Sequence, residues 1–289
     1  MKAKQIFTSV LIVVIFTTIF TGCGKANKDF ATTSEIVVIS REDGSGTRSA
    51  FIEITGILEK TETTITDNTV PSAIIQNNTQ AVLTGVSGDN TAIGYISLGS
   101  LNNTVTAMKI EGVAPSSETI KDGTYKISRP FNIATKSDVN EPAQNFIDYI
   151  LSAEGQGVVA ELGYVGAVEN VSPFTGAKGE GKVKVGGSSS VSPVMEKLAE
   201  EYEKINPNVN VEVNTSDSST GMSATAEGIL DIGMASRDLK DSEIEKGLTG
   251  TAIAKDGIAV VINKENTVTD ITLEELRKIY TGEVTTWEL

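Results

Sequence analysis

Three stretches of the chain place glycines and small hydroxyl residues where a helix is about to begin. Ser40-Arg41-Glu42-Asp43-Gly44-Ser45-Gly46-Thr47-Arg48 lies between an apolar run at 36–39 and a helical pattern at 50–58. Val185-Gly186-Gly187-Ser188-Ser189-Ser190-Val191-Ser192-Pro193 joins a second apolar run to a second helical pattern. Asn214-Thr215-Ser216-Asp217-Ser218-Ser219-Thr220-Gly221 follows a third run and precedes a helix expected at 222–230. The first turn of a helix presents unpaired N–H groups and about half a positive charge. Glycine lets a ligand approach the backbone, and serine and threonine add hydroxyls without bulk. Three such ends meeting at one point would hold an anion, and Arg41 would add a two-pronged donor suited to a tetrahedral oxyanion. Each loop alone reads more simply as a capped helix after a turn; together they predict a shared anion site.

Other chemistries are excluded early. The 289 residues include no histidine and one cysteine. Ser-His-Asp and Cys-His catalysis, histidine-ligated zinc and an internal disulfide are therefore impossible. No metal site or cofactor is expected. With 24 Lys and Arg against 38 Asp and Glu, the formal net charge is −14. That argues against a nucleic-acid partner, which requires a basic face. A small anion in a cleft is still compatible, because local dipoles and one or two arginines act at short range. Gly176-Ala177-Lys178-Gly179-Glu180-Gly181-Lys182-Val183 is close to a nucleotide P-loop, but it lacks the final Ser or Thr and a strand is expected to follow.

The elements that must position these loops read as α/β. Buried parallel strands are expected at 36–39, 183–185, 209–213 and 258–262, each apolar and rich in β-branched residues. Val194, Leu198, Tyr202 and Ile205 share one face of a helix with Ser192 as N-cap and Pro193 in its first turn. Ala143, Phe146, Ile147 and Ile150 mark another helix. Thr272 and Glu275 form the ends of a capping box. Residues 169–182 are rich in Gly and small residues and read as a linker. Lys2, Lys4 and the apolar run 6–20 have the layout of a secretory signal. The small residues before Cys23 resemble a bacterial lipobox, which implies cleavage after residue 22, a lipid on Cys23 and a tether over 23–33. An uncleaved anchor, or an ordinary signal with a chance cysteine, fits the same residues.

Four segments carry a specific resemblance: GGSSSVSPVMEKLAEEYEKINPNVNVEV, STGMSATAEGILDIGMASRDLKDSE, AKDGIAVVINKENTVTDITLEELRKIYTGEVTTWEL and ISREDGSGTRSAF. Together they resemble the phosphate-binding proteins of bacterial high-affinity phosphate ABC transporters over nearly all of residues 34–289. The order differs: in the family the SREDGSGTR segment follows TTWEL, whereas here it comes first. The chain therefore resembles a circular permutant joined through 169–182; a fragment of a tandem protein, or a lobe completed by domain swapping, are the other readings of that order. The resemblance implies a two-lobed, periplasmic-binding-protein-like (type II) fold with crossover hinge strands at 125–135 and 255–262. It places one lobe at 127–258 and the other at 34–125 plus 260–289.

The resemblance also implies roles. Ser189, Ser190, Val191 and Ser218 match phosphate-binding loop residues, as do Arg41, Ser45, Gly46 and Thr47, with Asp43 orienting Arg41. Ser236 and Arg237 fall where some members carry a Ser-Asp pair whose carboxylate accepts a proton from phosphate; Arg237 is a departure that bears on rejection of sulfate. Surface ion pairs of Arg41 with Glu42 or Asp43, and of Arg237 with Asp238 or Asp241, are the plainer alternatives. Trp287 is expected to pack a lobe. The implied function is a non-enzymatic, lipid-anchored, extracytoplasmic receptor that captures inorganic phosphate for ABC permease subunits. Receptors for sulfate, molybdate or a phosphonate, a phosphatase, and a non-binding surface remnant are the rival readings.

Overall fold

The computed structural model describes residues 29–168, 171–176 and 179–289. The expected signal, Cys23 and most of the tether lie outside the described residues, as do 169–170 and 177–178 of the expected linker.

Eight strands form the main path of a mixed sheet: β1 (Val37–Arg41), β2 (Ile74–Gln76), β3 (Ala92–Ser97), β4 (Ser128–Thr135), β5 (Gly181–Ser188), β6 (Val209–Ser216), β7 (Ile232–Ala235) and β8 (Thr249–Asn263). Their order is β6-β5-β7-β4-β8-β3-β1-β2. At one end β5 runs parallel to β6 and β7; at the other β1 runs parallel to β2 and β3. The two parallel groups are joined by antiparallel neighbours. The 15-residue β8 makes the link, pairing Thr249–Gly257 with β4 and Ile258–Ile262 with β3. The stretch after residue 180 is thus a strand rather than the helix that a P-loop requires.

The fold is two-lobed, with separate apolar cores. One core joins Phe131, Phe146, Val185, Leu198, Tyr202 and Ile253. Another joins Phe51, Tyr95, Ile127, Val260, Leu276 and Trp287. The helices reach these cores through one apolar face each. In α5 (Ser192–Ile205), Val194, Leu198 and Tyr202 are buried, as the spacing predicts, whereas Ile205, expected on the same face, is exposed at the helix's last residue. Its boundary differs by one residue from the expectation: Val191 occupies the cap position, no side chain caps it, and Ser192 is already helical. Ser192 Oγ instead donates back to Ser188 O at 3.2 Å.

Two helices begin inside the Ser/Gly loops, earlier than the apolar periodicity suggests. α1 (Gly46–Ile54) starts at Gly46 because Ser45 Oγ accepts from Arg48 N at 3.3 Å. α6 (Ser218–Ala226) starts at Ser218 because Asp217 Oδ1 accepts from Thr220 N at 2.9 Å. Capping chemistry, rather than the first apolar residue, sets a helix start. The Thr272/Glu275 capping box forms as expected at the head of α7 (Leu273–Thr281). Other helices include α2 (Thr79–Gly88), α3 (Glu141–Ile150), which buries Ala143, Phe146, Ile147 and Ile150 as the spacing predicts, and α4 (Ala153–Glu161).

The first described strand region and the last residues meet within one chain. Ile36 N donates to Thr285 O at 2.8 Å, and Glu35 and Thr286 form an antiparallel bridge. Trp287 is 1% exposed, lies edge-on to Phe30 at 6.2 Å, and donates from Nε1 to Thr91 O at 3.0 Å. The last residues thereby close the core that the first strand opens. Trp287→Ala should therefore lower unfolding stability by about 3–5 kcal/mol, the usual cost of emptying a buried aromatic site. Urea unfolding followed by circular dichroism checks this; a loss below 1 kcal/mol would mean that the C-terminal segment does not complete the core.

Candidate functional site

The three Ser/Gly loops come together. Thr47 Oγ1 and Ser190 Oγ are hydrogen-bonded at 2.8 Å, and Arg41 Nη2 donates to Ser189 Oγ at 3.2 Å. Ser219 N donates to Gly44 O at 3.2 Å. Ser236 N donates to Ser218 Oγ at 3.2 Å, and Ser188 Oγ donates to Ser236 Oγ at 2.9 Å. A Cβ at Gly46 would run into the hydroxyls of Ser218 and Ser236, so only glycine permits that approach. Gly187, at φ +136°, lies against the backbone of Met234, where a side chain would also collide. Ser45, Thr47, Ser190, Ser218 and Ser236 are each at most 1% exposed, and Val191 is buried beside them. The cluster therefore collects hydroxyls and the heads of α1, α5 and α6 at a buried point between the lobes.

Arg41 is 2% exposed. Glu42 takes one edge of its guanidinium: Nε and Nη2 each donate to a Glu42 oxygen at 2.7 Å. Nη1, on the other edge, is buried and has no hydrogen-bond partner among the described residues. A fork gripped along one side keeps its other side aimed, which suits it to an anion. The ion pair with Glu42, the plainer alternative for Arg41, does form, with Arg41 buried and Glu42 half-buried rather than at the surface. The backbone of Arg41 is anchored as well, since its N–H donates to Tyr95 Oη at 3.1 Å and Ser40 Oγ lies 2.8 Å from the same oxygen. Burial pushes the Tyr95 phenol up to about 12, so it stays protonated at neutral pH. Phe51 stacks on its ring at 4.0 Å.

Two expected roles are corrected. Asp43 does not orient Arg41. Its side chain is 97% exposed and pairs with Arg48 at 3.0 Å, because it projects from the turn while Glu42, one residue earlier, faces the guanidinium. Arg237 is buried, but its terminal nitrogens are already committed: both donate to Glu243 at 2.8 Å, and they reach the Asp238 carbonyl and Ser219 Oγ as well. Neither Asp238 nor Asp241 is its carboxylate partner.

Other participants carried no Ser/Gly signal. Thr79, at the head of α2, touches Ser189 and Ser190 through Oγ1 at 3.3 and 3.4 Å. Its only sequence mark is the capping run Asn77-Asn78. Arg129 on β4 and Asp256 on β8 form a salt bridge at 3.1 Å, each side chain 1% exposed, and Arg129 Nη1 donates to Ser236 O at 3.1 Å. These long-range partners sit on the two linking strands, where register, not spacing, brings them together: Asp256 is the partner of Arg129. Among the described residues no group of three His, Cys, Asp or Glu could hold a metal ion, and no helix is long and apolar enough to cross a membrane.

Comparison with known proteins places this geometry in a class. The PBP superfamily domain matches residues 15–154 and 172–289. The chain is 48% identical over 271 residues to Phosphate-binding protein PstS 2 of Streptococcus agalactiae, covering 93% of this chain and 92% of that protein. It is 45% identical over 289 residues to Phosphate-binding protein PstS 2 of Streptococcus pneumoniae, covering 100% and 99%. A crystal structure of a phosphate-binding protein of a phosphate ABC transporter from Streptococcus pneumoniae superposes with a TM-score of 0.70 at 47% identity, covering 88% of this chain and 99% of that one. The chain belongs to the PBP superfamily and, within it, to the PstS family of phosphate-binding proteins.

Burial pushes the Asp256 carboxyl up to about 6, even against the pull of Arg129. A carboxyl whose folded value lies above its unfolded one, near 4, favours folding when protonated, so its contribution falls as pH rises from about 4 to 6 and is level above. The stability difference between wild type and Asp256→Asn should therefore shift against wild type by up to about 3 kcal/mol over that interval. Urea titrations at pH 4, 5, 6 and 7 measure it; a difference independent of pH would contradict the assignment.

Proposed function

We propose that the chain is an extracytoplasmic receptor that captures inorganic phosphate in the Arg41–Ser45–Thr47–Ser189–Ser190–Ser218–Ser236 cluster for delivery to an ABC permease. The observation that carries this is the buried, unpartnered Nη1 edge of Arg41 beside three helix heads and a ring of hydroxyls. Such a set is built for a small tetrahedral anion: the dipoles and the guanidinium supply positive potential, and the hydroxyls donate or accept as the ligand demands. The relatives bear the name phosphate-binding protein, and the matched crystal structure is one from a phosphate ABC transporter.

The site is a binder, not a catalyst: no His is present, and Thr47, Ser189 and Ser190 bond to Arg41 and to one another rather than to a general base. Val191 contributes backbone and apolar packing rather than a side-chain donor. Arg237 acts through Glu243 and Ser219, bracing the head of α6. Cys23 carries the lipid in this reading, and the mature protein works at the outer face of the membrane. The lobes divide at 34–125 plus 260–289 and at 127–258, and the segment order is that of a circular permutant. Support for the permutation is that Ile36 pairs with Thr285 inside one chain.

Calorimetric titration of residues 24–289 with phosphate should give micromolar binding or tighter, about −8 kcal/mol or better. No heat and no thermal shift would end this reading; parallel titrations with sulfate and molybdate distinguish another oxyanion. Arg41→Ala should weaken phosphate binding by about 2–5 kcal/mol, and an unchanged affinity would remove Arg41 from the site. In the same titration Glu42→Ala should weaken binding at least tenfold, whereas Asp43→Ala should leave it within about twofold, since an exposed pair contributes little. The reverse ranking would restore Asp43 as the orienting carboxylate.

A further inference from the structure

Thr79 lies in the lobe of Arg41, yet its polar atoms are directed across the cleft. It is 6% exposed at the first position of α2. The cap residue Asn78 spends its side chain on Ala81 N, at 2.8 Å. That leaves the Thr79 N–H to reach Ser189 Oγ at 3.4 Å, while Thr79 Oγ1 lies 3.3 Å from the same hydroxyl and 3.4 Å from Ser190 Oγ. Ser189 Oγ is also the atom that Arg41 Nη2 holds, and the unpartnered Nη1 belongs to that guanidinium. Thr79 is therefore tied to the anion cluster at its most charged point.

On its outer side Thr79 borders a cleft of about 450 Å³, with Asn78 and Gln80 beside it and Ser189, Pro193 and Thr215 among the residues facing it. The Thr79–Ser189 contact thus separates the cleft from the buried hydroxyls. Opening the lobes must break it. Its hydrogen bonds are long and weak, so they can be made and broken without trapping the protein in one state.

We propose that Thr79 is a latch residue that, by bridging Ser189 and Ser190 across the closed cleft, sets the rate at which bound phosphate leaves. This rests on the phosphate reading above. It differs from the ligand roles of Arg41 and the serines, because Thr79 acts on the closed state through Ser189 and Ser190. Related variants of a binding site differ mostly in dissociation rate. A neutral hydrogen bond contributes about 1 kcal/mol, or roughly fivefold.

Wild type, Thr79→Val, Thr79→Ala and Thr79→Ser are loaded with radiolabelled inorganic phosphate and chased with excess unlabelled phosphate under rapid mixing. Thr79→Val keeps the shape but loses the hydroxyl, and should release phosphate about three- to tenfold faster with an association rate changed less than twofold. Thr79→Ala should do the same, and Thr79→Ser, which keeps the hydroxyl, should release at the wild-type rate. The melting temperatures of the ligand-free variants should match wild type. Unchanged release from both Val and Ala variants overturns the proposal. So does acceleration that Ser shares, or acceleration accompanied by a lowered ligand-free melting temperature, either of which marks a packing role. Wild type that binds no phosphate in this assay overturns the functional reading itself, and the latch with it.

Discussion

The site depends on one constraint: a buried guanidinium must be held without being used up. Moving a charge out of water is costly, and a lone buried arginine would be displaced toward solvent or neutralised by whatever reached it. Glu42 meets the cost with two parallel hydrogen bonds along the Nε–Nη2 edge and leaves Nη1 buried with no hydrogen-bond partner among the described residues. Around this arrangement the fold supplies further rigidity. Tyr95, stacked on Phe51, accepts from the Arg41 backbone N–H, and Arg48 donates to the Arg41 carbonyl at 2.7 Å. The side chain, the N–H and the C=O of Arg41 are thus each held by a different residue.

The opposite lobe answers with dipoles instead of charge. The heads of α5 and α6 bring backbone N–H groups and the hydroxyls of Ser189, Ser190 and Ser218, and Ser236 N is turned onto Ser218. Positive potential thereby arises inside a protein of net charge −14, because helix ends and one oriented arginine act within a few ångströms while the surface charge is screened by solvent. The linking strands carry the coupling between lobes. Arg129 and Asp256 pair on adjacent strands, and Arg129 also holds the Ser236 carbonyl, so the hinge region and the anion cluster share a side chain.

What the sequence revealed and what it hid follow from the range of the forces involved. Loops that open helices are local, so Ser45, Ser190 and Ser218 were legible from residue type and position alone, and the structure gathers them as expected. The α/β alternation and the apolar faces of α5 and α7 were legible for the same reason. The choice between Glu42 and Asp43 was not, because both are adjacent carboxylates and only the direction of the turn decides which one faces Arg41. The engagement of Arg237 with Glu243, six residues away, depends on the short helix Asp241–Ile244 that carries Glu243. Thr79 and the Arg129–Asp256 pair are set by strand register and lobe packing over more than a hundred residues, and no local pattern announces them.

The most direct test of the account is a crystal structure of residues 24–289 grown with inorganic phosphate. One phosphate should lie between the lobes, with an oxygen within hydrogen-bonding distance of Arg41 Nη1, Glu42 still on the opposite edge, and Ser45, Thr47, Ser189 and Ser218 around the remaining oxygens. A phosphate bound elsewhere, or an Arg41 turned away from it in a closed cleft, would contradict the account.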